Sequence, residues 1–335
     1  MLNRKKCLII AEVGVNHNGR LDLALKLCDA AKEAGADVVK FQTWKTENLI
    51  TNNVAQADYQ AKNTGKEESQ FDMLKKLELS YDDFRKIKEY CDKIGIIFSS
   101  TADEPESLDF LVSLGIPFIK VGSGDIGNVS YLRYMGSKKL PIILSTGMST
   151  LSDVDISINA LREGGAEDIT VLHCTTNYPC PYDDVNLKAM ITLRDAFHLP
   201  IGYSDHTKGN DVAVAATSLG ATIIEKHFTL DCNMEGPDHA ASTEPEEFKE
   251  LVNSIRLVES CLGDGVKRPT NAEKKISKVV TKRIVASQDI LAGSIFTEKN
   301  IAVKRNDIGV KAKDWDLVLG RKASRNYLVD EGIEL

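Results

Sequence analysis

The 335-residue chain predicts an α/β fold, a (β/α)8 barrel followed by a small, mostly β domain. Three observations carry that expectation. Short β-branched runs alternate with amphipathic helical stretches eight times between residues 7 and 263, about 32 residues per unit, which is the size and rhythm of such a barrel. Runs such as Val38-Val39, Ile142-Ile143-Leu144 and Ile223-Ile224 are continuously apolar, as strands covered on both faces must be. Beyond Gly263 the composition shifts and the rhythm stops. A doubly wound sheet suits this count less well.

Taken in order, the strands are expected at Cys7 to Gly14, Asp37 to Thr43, Ile96 to Thr101, Phe118 to Gly124, Pro141 to Gly147, Ile169 to Thr175, Ile201 to His206 and Thr222 to Thr229. Helical patterns follow, among them Leu21 to Gly35, Leu151 to Gly164 and Pro245 to Gly263, with Gly35, Gly115, Gly220 and Gly263 where helices stop. The segment Trp44 to Gln70 is long, polar and aperiodic, and reads as an active-site loop on the rim. Residues 1–265 are expected to form the barrel domain, 266–280 a lysine-rich, helix-poor linker, and 281–335 the second domain. About 55 residues of short strands and turns bury little alone, so packing against the barrel or a partner chain is expected.

Composition narrows the function. Hydrophobic residues at 42% and charged residues at 27% are ordinary for a globular protein. A net charge of −7 gives no global positive field for nucleic acid or an anionic membrane, so an anionic substrate must be caught by local lysines or arginines. No run approaches the roughly 20 apolar residues of a membrane helix. Seven cysteines without a C-x-x-C pair suggest neither a disulfide framework nor a zinc ribbon, which makes the cytoplasm the expected compartment.

Barrel enzymes assemble their chemistry at the carboxyl ends of the strands, and polar residues gather there on every strand. Glu12, Lys40 with Gln42, Thr101, Lys120 with Ser123, Ser145 with Thr146, His173 with Thr175, Ser204 with His206, and Glu225 with His227 all lie in or just past a last turn. Two-residue spacing puts Lys40 and Gln42 on one face, and likewise Glu225 and His227. A lysine buried in an apolar strand costs several kcal/mol unless an anion or a carboxylate such as Glu12 or Glu225 compensates it, which marks Lys40 and Lys120. Gly122-Ser123-Gly124-Asp125-Ile126-Gly127 matches G-x-G-x-x-G, but it follows the fourth strand and meets Ser145 where a dinucleotide site needs an acid. Its small residues suit a close approach of backbone N–H groups to a phosphate. His206 and His227 end neighbouring strands and can converge on one cation, or be ordinary hydrogen-bonded histidines. His17 and His239 fall in loops, His198 at a helix end, where solvent is the simpler reading.

These residues spell a family. Gly14-Val15-Asn16-His17-Asn18-Gly19, Val39-Lys40-Phe41-Gln42-Thr43, Lys120-Val121-Gly122-Ser123-Gly124-Asp125, Leu144-Ser145-Thr146-Gly147-Met148, Gly202-Tyr203-Ser204-Asp205-His206-Thr207 and Glu225-Lys226-His227-Phe228-Thr229 recur in order in sialic acid (nonulosonate) synthases. The chain resembles that family over essentially its whole length, and its C-terminal part resembles the family's antifreeze-like (SAF) domain. The resemblance implies a transferase that condenses phosphoenolpyruvate with an N-acetylated mannosamine-type aldehyde to a nine-carbon 2-keto acid and phosphate, by C–O cleavage. It implies a divalent metal, Mn2+ or Mg2+, on His206 and His227. It places Lys40, Lys120, Ser123 and Ser145, with Thr101 nearby, on the phosphoenolpyruvate phosphate and carboxylate. Glu12, Gln42, Tyr178 and Asp238 match positions around the sugar, with Glu12 handling protons, and Asp125 stands where several bacterial members carry glutamate. Thr176 stands where some have asparagine. Arg305 matches the arginine that a domain-swapped homodimer lays over the N-acetyl end of the sugar in the neighbouring barrel. N-acetylmannosamine and 2,4-diacetamido-2,4,6-trideoxymannose are both candidate acceptors, leading to sialic and legionaminic acids. Rivals are a Schiff-base pyruvate aldolase on the same barrel, which strand lysines also suit, and a non-catalytic sugar-binding protein.

Overall fold

The structure, a computed structural model, describes residues 6–51, 54–55 and 69–335. Eight parallel strands close a barrel in chain order: β1 (Leu8–Gly14), β2 (Val38–Thr43), β3 (Ile97–Ala102), β4 (Ile119–Val121), β5 (Ile142–Ser145), β6 (Ile169–Cys174), β7 (Ile201–Asp205) and β8 (Ile223–His227). β8 pairs back onto β1, with Glu12 opposite His227. Each expected run supplies one strand. The fourth is shorter than its apolar text because Ser123–Asp125 winds into a single 3-10 turn.

Alternation along these strands sorts the lumen into layers. Ile10, Val38, Phe118, Ile143, Leu172 and Ile223 form an apolar floor. Two residues further along the same strands stand Glu12, Lys40, Lys120, Ser145, Cys174 and Glu225, so the polar layer lies directly above a dry plug. The opposite face of each strand packs outward onto helices. Leu21–Glu33 turns Leu23, Ala24, Leu27, Cys28 and Ala31 inward at helical spacing, and each fully buried leucine contributes about 1.5–3 kcal/mol relative to exposure. Leu151–Gly164 opens on a reciprocal Thr150/Asp153 capping box.

The chain divides into two compact units, Met1–Gly263 and Asp264–Leu335. The segment read as a helix-poor linker instead carries a ten-residue helix, Asn271–Val280. Thr270 and Glu273 start it with a capping box, a T-x-x-E signal visible in the sequence, and its Glu and Lys residues are good helix formers. The second unit pairs β9 (Lys282–Ala286) with β10 (Ile301–Arg305) antiparallel and closes a small core of its own around Ile284, Phe296, Ile301, Tyr327 and Ile333. Of the expected rim loop 44–70, Thr46–Leu49 is a short helix tied by Glu78 to the Thr46 amide and hydroxyl, and residues 52–53 and 56–68 lie outside the described residues. Among the described residues no helix is long and apolar enough to cross a membrane.

Candidate active site

Above the apolar floor lies a cavity of about 210 Å³. Glu12, Lys40, Gln42, Thr101, Lys120, Ser123, Ser145, Tyr178, His206 and His227, all singled out from sequence, line it. Lys40 and Lys120 therefore face the same mouth as the two histidines.

Both lysines meet carboxylates. Lys40 forms a close ion pair with Glu12 and lies 3.6 Å from Glu225, while Lys120 lies 3.2 Å from Glu225. Lys40 Nζ also donates to Thr101 Oγ1 at 3.1 Å, and Ser204 Oγ donates to Glu225 at 2.9 Å. Burial alone would lower the Lys40 ammonium, but Glu12 and Glu225 hold it above its ordinary value. Burial pushes the Glu12 carboxyl up, which Lys40 only partly offsets; Glu225, equally buried, is held well below the usual carboxylate range by Lys120 and Lys40. Ser145 Oγ is buried and has no hydrogen-bond partner among the described residues, so a donor waits for an acceptor beside two cations. Ser123 Oγ accepts from the Gly147 amide at 3.0 Å.

His206 and His227 face each other with ring centroids 5.5 Å apart, and Tyr178 packs 4.2 Å from the first and 5.4 Å from the second. The Nδ1 of His206 sits 2.7 Å from the Thr175 carbonyl and so carries its proton, which leaves Nε2, 3.5 Å from Ser204 Oγ, as the nitrogen that can ligate. His227 Nδ1 is buried without a hydrogen-bond partner among the described residues. Burial lowers both imidazoles, His227 to about 3 with help from His206, so both are neutral at physiological pH. Two neutral imidazoles facing one cavity are a donor set that would suit a divalent cation. Among the described residues no set of three His, Cys, Asp or Glu side chains is arranged to hold a metal.

Glu12, Gln42 and Asp238 converge on Gly14, where a Cβ would lie 3.3 Å from Glu12 Oε1, 3.5 Å from Gln42 Nε2 and 3.9 Å from Asp238 Oδ2. Gly14 has φ +53°, so glycine suits both the backbone and the crowding. Gln42 Nε2 donates to Glu12 Oε1 at 3.3 Å, and burial pushes the Asp238 carboxyl up to about 6. Asp125 does not line the cavity; its carboxylate accepts from Asn128 Nδ2 at 3.2 Å. Arg305 is exposed at the end of β10 in the second unit.

Asp103 was missed by sequence reasoning. It lies one residue past β3, lines the cavity, and its carboxyl is pushed up to about 7 by burial and by Asp125. An acid immediately beyond a buried strand was the available signal. Glu225, noted from sequence as a strand-end residue beside His227 and as a counter-ion, is the hub of both lysines.

His17 and His239 are fully buried, contrary to the solvated reading, because the loops after β1 and β8 clasp each other. The Gly19 amide donates to His17 Nδ1 at 3.1 Å, Thr229 Oγ1 and His239 Nδ1 are 2.6 Å apart, and Asn18 Nδ2 donates to the Glu235 carbonyl at 2.8 Å. Burial lowers each histidine to about 4, with Asp231 opposing the shift at His239. Folded values below the unfolded one of about 6.5 mean that their contribution is complete above pH 6.5 and lost as pH falls toward 4, by up to about 3 kcal/mol each. Urea midpoints should therefore drop between pH 7.5 and 4.5. His17→Asn, which keeps an acceptor for Gly19, should flatten that slope, and an unchanged slope contradicts the assignment.

Two family profiles match the chain, one described as the NeuB family over residues 27–267 and one as the SAF domain over residues 281–333. An N,N'-diacetyllegionaminic acid synthase of Campylobacter jejuni is 47% identical over 98% of this chain and 98% of its own. A protein of the same name from Legionella pneumophila is 46% identical over 96% of this chain and 91% of its own. A crystal structure of the N-acetylneuraminic acid synthetase of Leptospira borgpetersenii in complex with citrate superposes with a TM-score of 0.73 at 33% identity, covering 82% of this chain and 90% of that one.

Proposed function

The chain belongs to the NeuB family and carries a SAF domain, and on that premise we propose that it condenses phosphoenolpyruvate with 2,4-diacetamido-2,4,6-trideoxymannose to N,N'-diacetyllegionaminic acid and phosphate. Residues 1–265 are the catalytic barrel, 266–280 the connection and 281–335 the SAF domain. The observation that carries the reading is the meeting of Lys40 and Lys120 with His206 and His227 in one cavity.

In this reading Lys40 and Lys120 exchange carboxylate partners for the phosphate and carboxylate of phosphoenolpyruvate, with Ser123, Ser145 and Thr101 donating from the walls. A Mn2+ or Mg2+ ion, when bound at His206 and His227, supplies Lewis-acid polarisation of the sugar aldehyde. Glu12, its carboxyl raised by burial, delivers a proton to the aldehyde oxygen that becomes a hydroxyl as C3 of phosphoenolpyruvate bonds to the aldehyde carbon. Gln42, Tyr178 and Asp238 orient the sugar. Positive charge then develops at C2 of the enolpyruvyl group, water adds there as Glu12 takes back a proton, and the tetrahedral intermediate releases phosphate by C–O cleavage, its C2 hydroxyl proton passing to the departing phosphate between the two lysines.

An imine mechanism needs a lysine whose ammonium is easily deprotonated, and the raised Lys40 is the opposite. Phosphate release assayed with both acceptors should favour the diacetamido sugar over N-acetylmannosamine, and oxygen-18 from water should enter the keto acid rather than phosphate. EDTA should abolish turnover, with recovery on Mn2+ or Mg2+, and borohydride with pyruvate should leave the enzyme active. No phosphate release from either sugar sinks the reading.

The chain acts as a homodimer in which Arg305 of the partner subunit binds the acceptor's N-acetyl group. Arg305→Ala should raise the acceptor KM at least tenfold without moving that for phosphoenolpyruvate. At an acceptor concentration well below that raised KM, mixing refolded Arg305→Ala and Lys120→Met subunits should give more activity than either variant shows alone.

A further inference from the structure

We propose that the buried Asp205–Lys226 ion pair is the positioning device that fixes His206 and His227 relative to each other and so sets cation affinity, an inference that rests on the two-histidine reading above. The two charges lie 2.6 Å apart with side chains 0% and 3% exposed. They are register partners across β7 and β8, and the backbone ladder between those strands ends at this pair. The next residue along each is a histidine, His206 just past β7 and His227 the last of β8. By alternation Ser204, His206, Glu225 and His227 face the lumen, while Asp205 and Lys226 face out toward the helices.

Beyond that ladder, backbone bonds tie each strand to other neighbours, with the Cys180 amide donating to the His206 carbonyl at 2.7 Å, the Thr243 amide to the His227 carbonyl at 2.8 Å, and His227 pairing with Glu12 of β1, while side chains tie β7 to β8. Lys226 Nζ also donates to the Thr207 carbonyl at 2.8 Å, and Asp205 Oδ1 accepts from the Thr207 amide at 3.0 Å and hydroxyl at 2.8 Å. One ammonium thus spans β8 and the turn that carries His206. His206 is further held by Thr175, but His227 Nδ1 has no hydrogen-bond partner among the described residues, so backbone placement carries much of that ring's aim. A buried ion pair adds little net stability over a well-packed apolar pair. What this one supplies is a fixed separation between two strand ends that no ladder joins.

The test measures Mn2+ binding directly, by loss of the free-ion electron paramagnetic resonance signal, on the full-length protein. In Asp205→Asn/Lys226→Met, which removes both charges, the Mn2+ dissociation constant should rise at least tenfold. Phosphoenolpyruvate affinity in EDTA, set by the lumen lysines, should stay within twofold. Lys226→Gln, which keeps two donors for Asp205 and Thr207, should fold and show a loss of about threefold; it decides the matter if the double variant does not fold. A folded variant with unchanged Mn2+ affinity, even with a lowered melting temperature, overturns the proposal. Wild-type protein that binds no Mn2+ overturns the two-histidine reading itself, and this inference with it.

Discussion

Lys120→Met is expected to lower kcat/KM for phosphoenolpyruvate by roughly a thousandfold, the largest loss of any single substitution in the cavity. The side chain is buried and faces Glu225 at 3.2 Å. A hydrogen bond to a charged group contributes about 1.5–3 kcal/mol, and a cation beside a departing phosphate dianion does more in the transition state than in the ground state. A loss of about 4 kcal/mol corresponds to the thousandfold figure. Removing Lys120 also leaves Glu225 facing the incoming anion with Lys40 as its remaining cation, so binding suffers along with turnover. Stability should fall by about 3–5 kcal/mol, as when one member of a buried pair is deleted. Adding Glu225→Gln should recover most of the stability and little of the turnover. Steady-state kinetics with thermal melts on the two variants separate these effects. A Lys120→Met enzyme within tenfold of wild type would remove Lys120 from the chemistry.

Gly202→Ala should destabilise the barrel by about 3 kcal/mol, lowering the melting temperature by roughly 5–10 °C. A Cβ there would sit 2.5 Å from the Ile223 carbonyl oxygen, 2.5 Å from Leu172 Cδ2 and 3.0 Å from Ile223 Cβ. Leu172 and Ile223 already fill the lumen floor at this level, and the carbonyl belongs to a strand that cannot yield without spreading β7 from β8. The effect should be on the whole fold rather than on the site, with little change in KM for the fraction that remains native. Differential scanning calorimetry tests it, and a melting temperature within 2 °C of wild type would show that the floor has slack.

The legible part of the molecule is the part written in local pattern. All eight strands announce themselves because parallel barrel strands are apolar on both faces, so Ile142-Ile143-Leu144 could hardly be anything else. The strand-end residues are legible for the same reason inverted, since Lys40 and Lys120 stand out against apolar neighbours. The helix Asn271–Val280 was hidden by its lysines: none of its residues is buried, but Ile276, Val279 and Val280 lie on one face of it, and that spacing, with Thr270 and Glu273 at its start, was legible. His17 and His239 were misjudged because the clasp that buries them joins loops more than 200 residues apart.

Sequence alone determined the architecture, the strand that each candidate residue rides on, and the face it takes, because side-chain alternation along a strand is a local property of the backbone. Only the closed barrel decided which charges neutralise which. Glu12 and Glu225 are 213 positions apart in the chain, yet both reach Lys40, one as a raised carboxyl and the other as a depressed one. That division depends on burial and on distances of a few ångströms between strands, and it is set by how β1, β2, β4 and β8 converge in space.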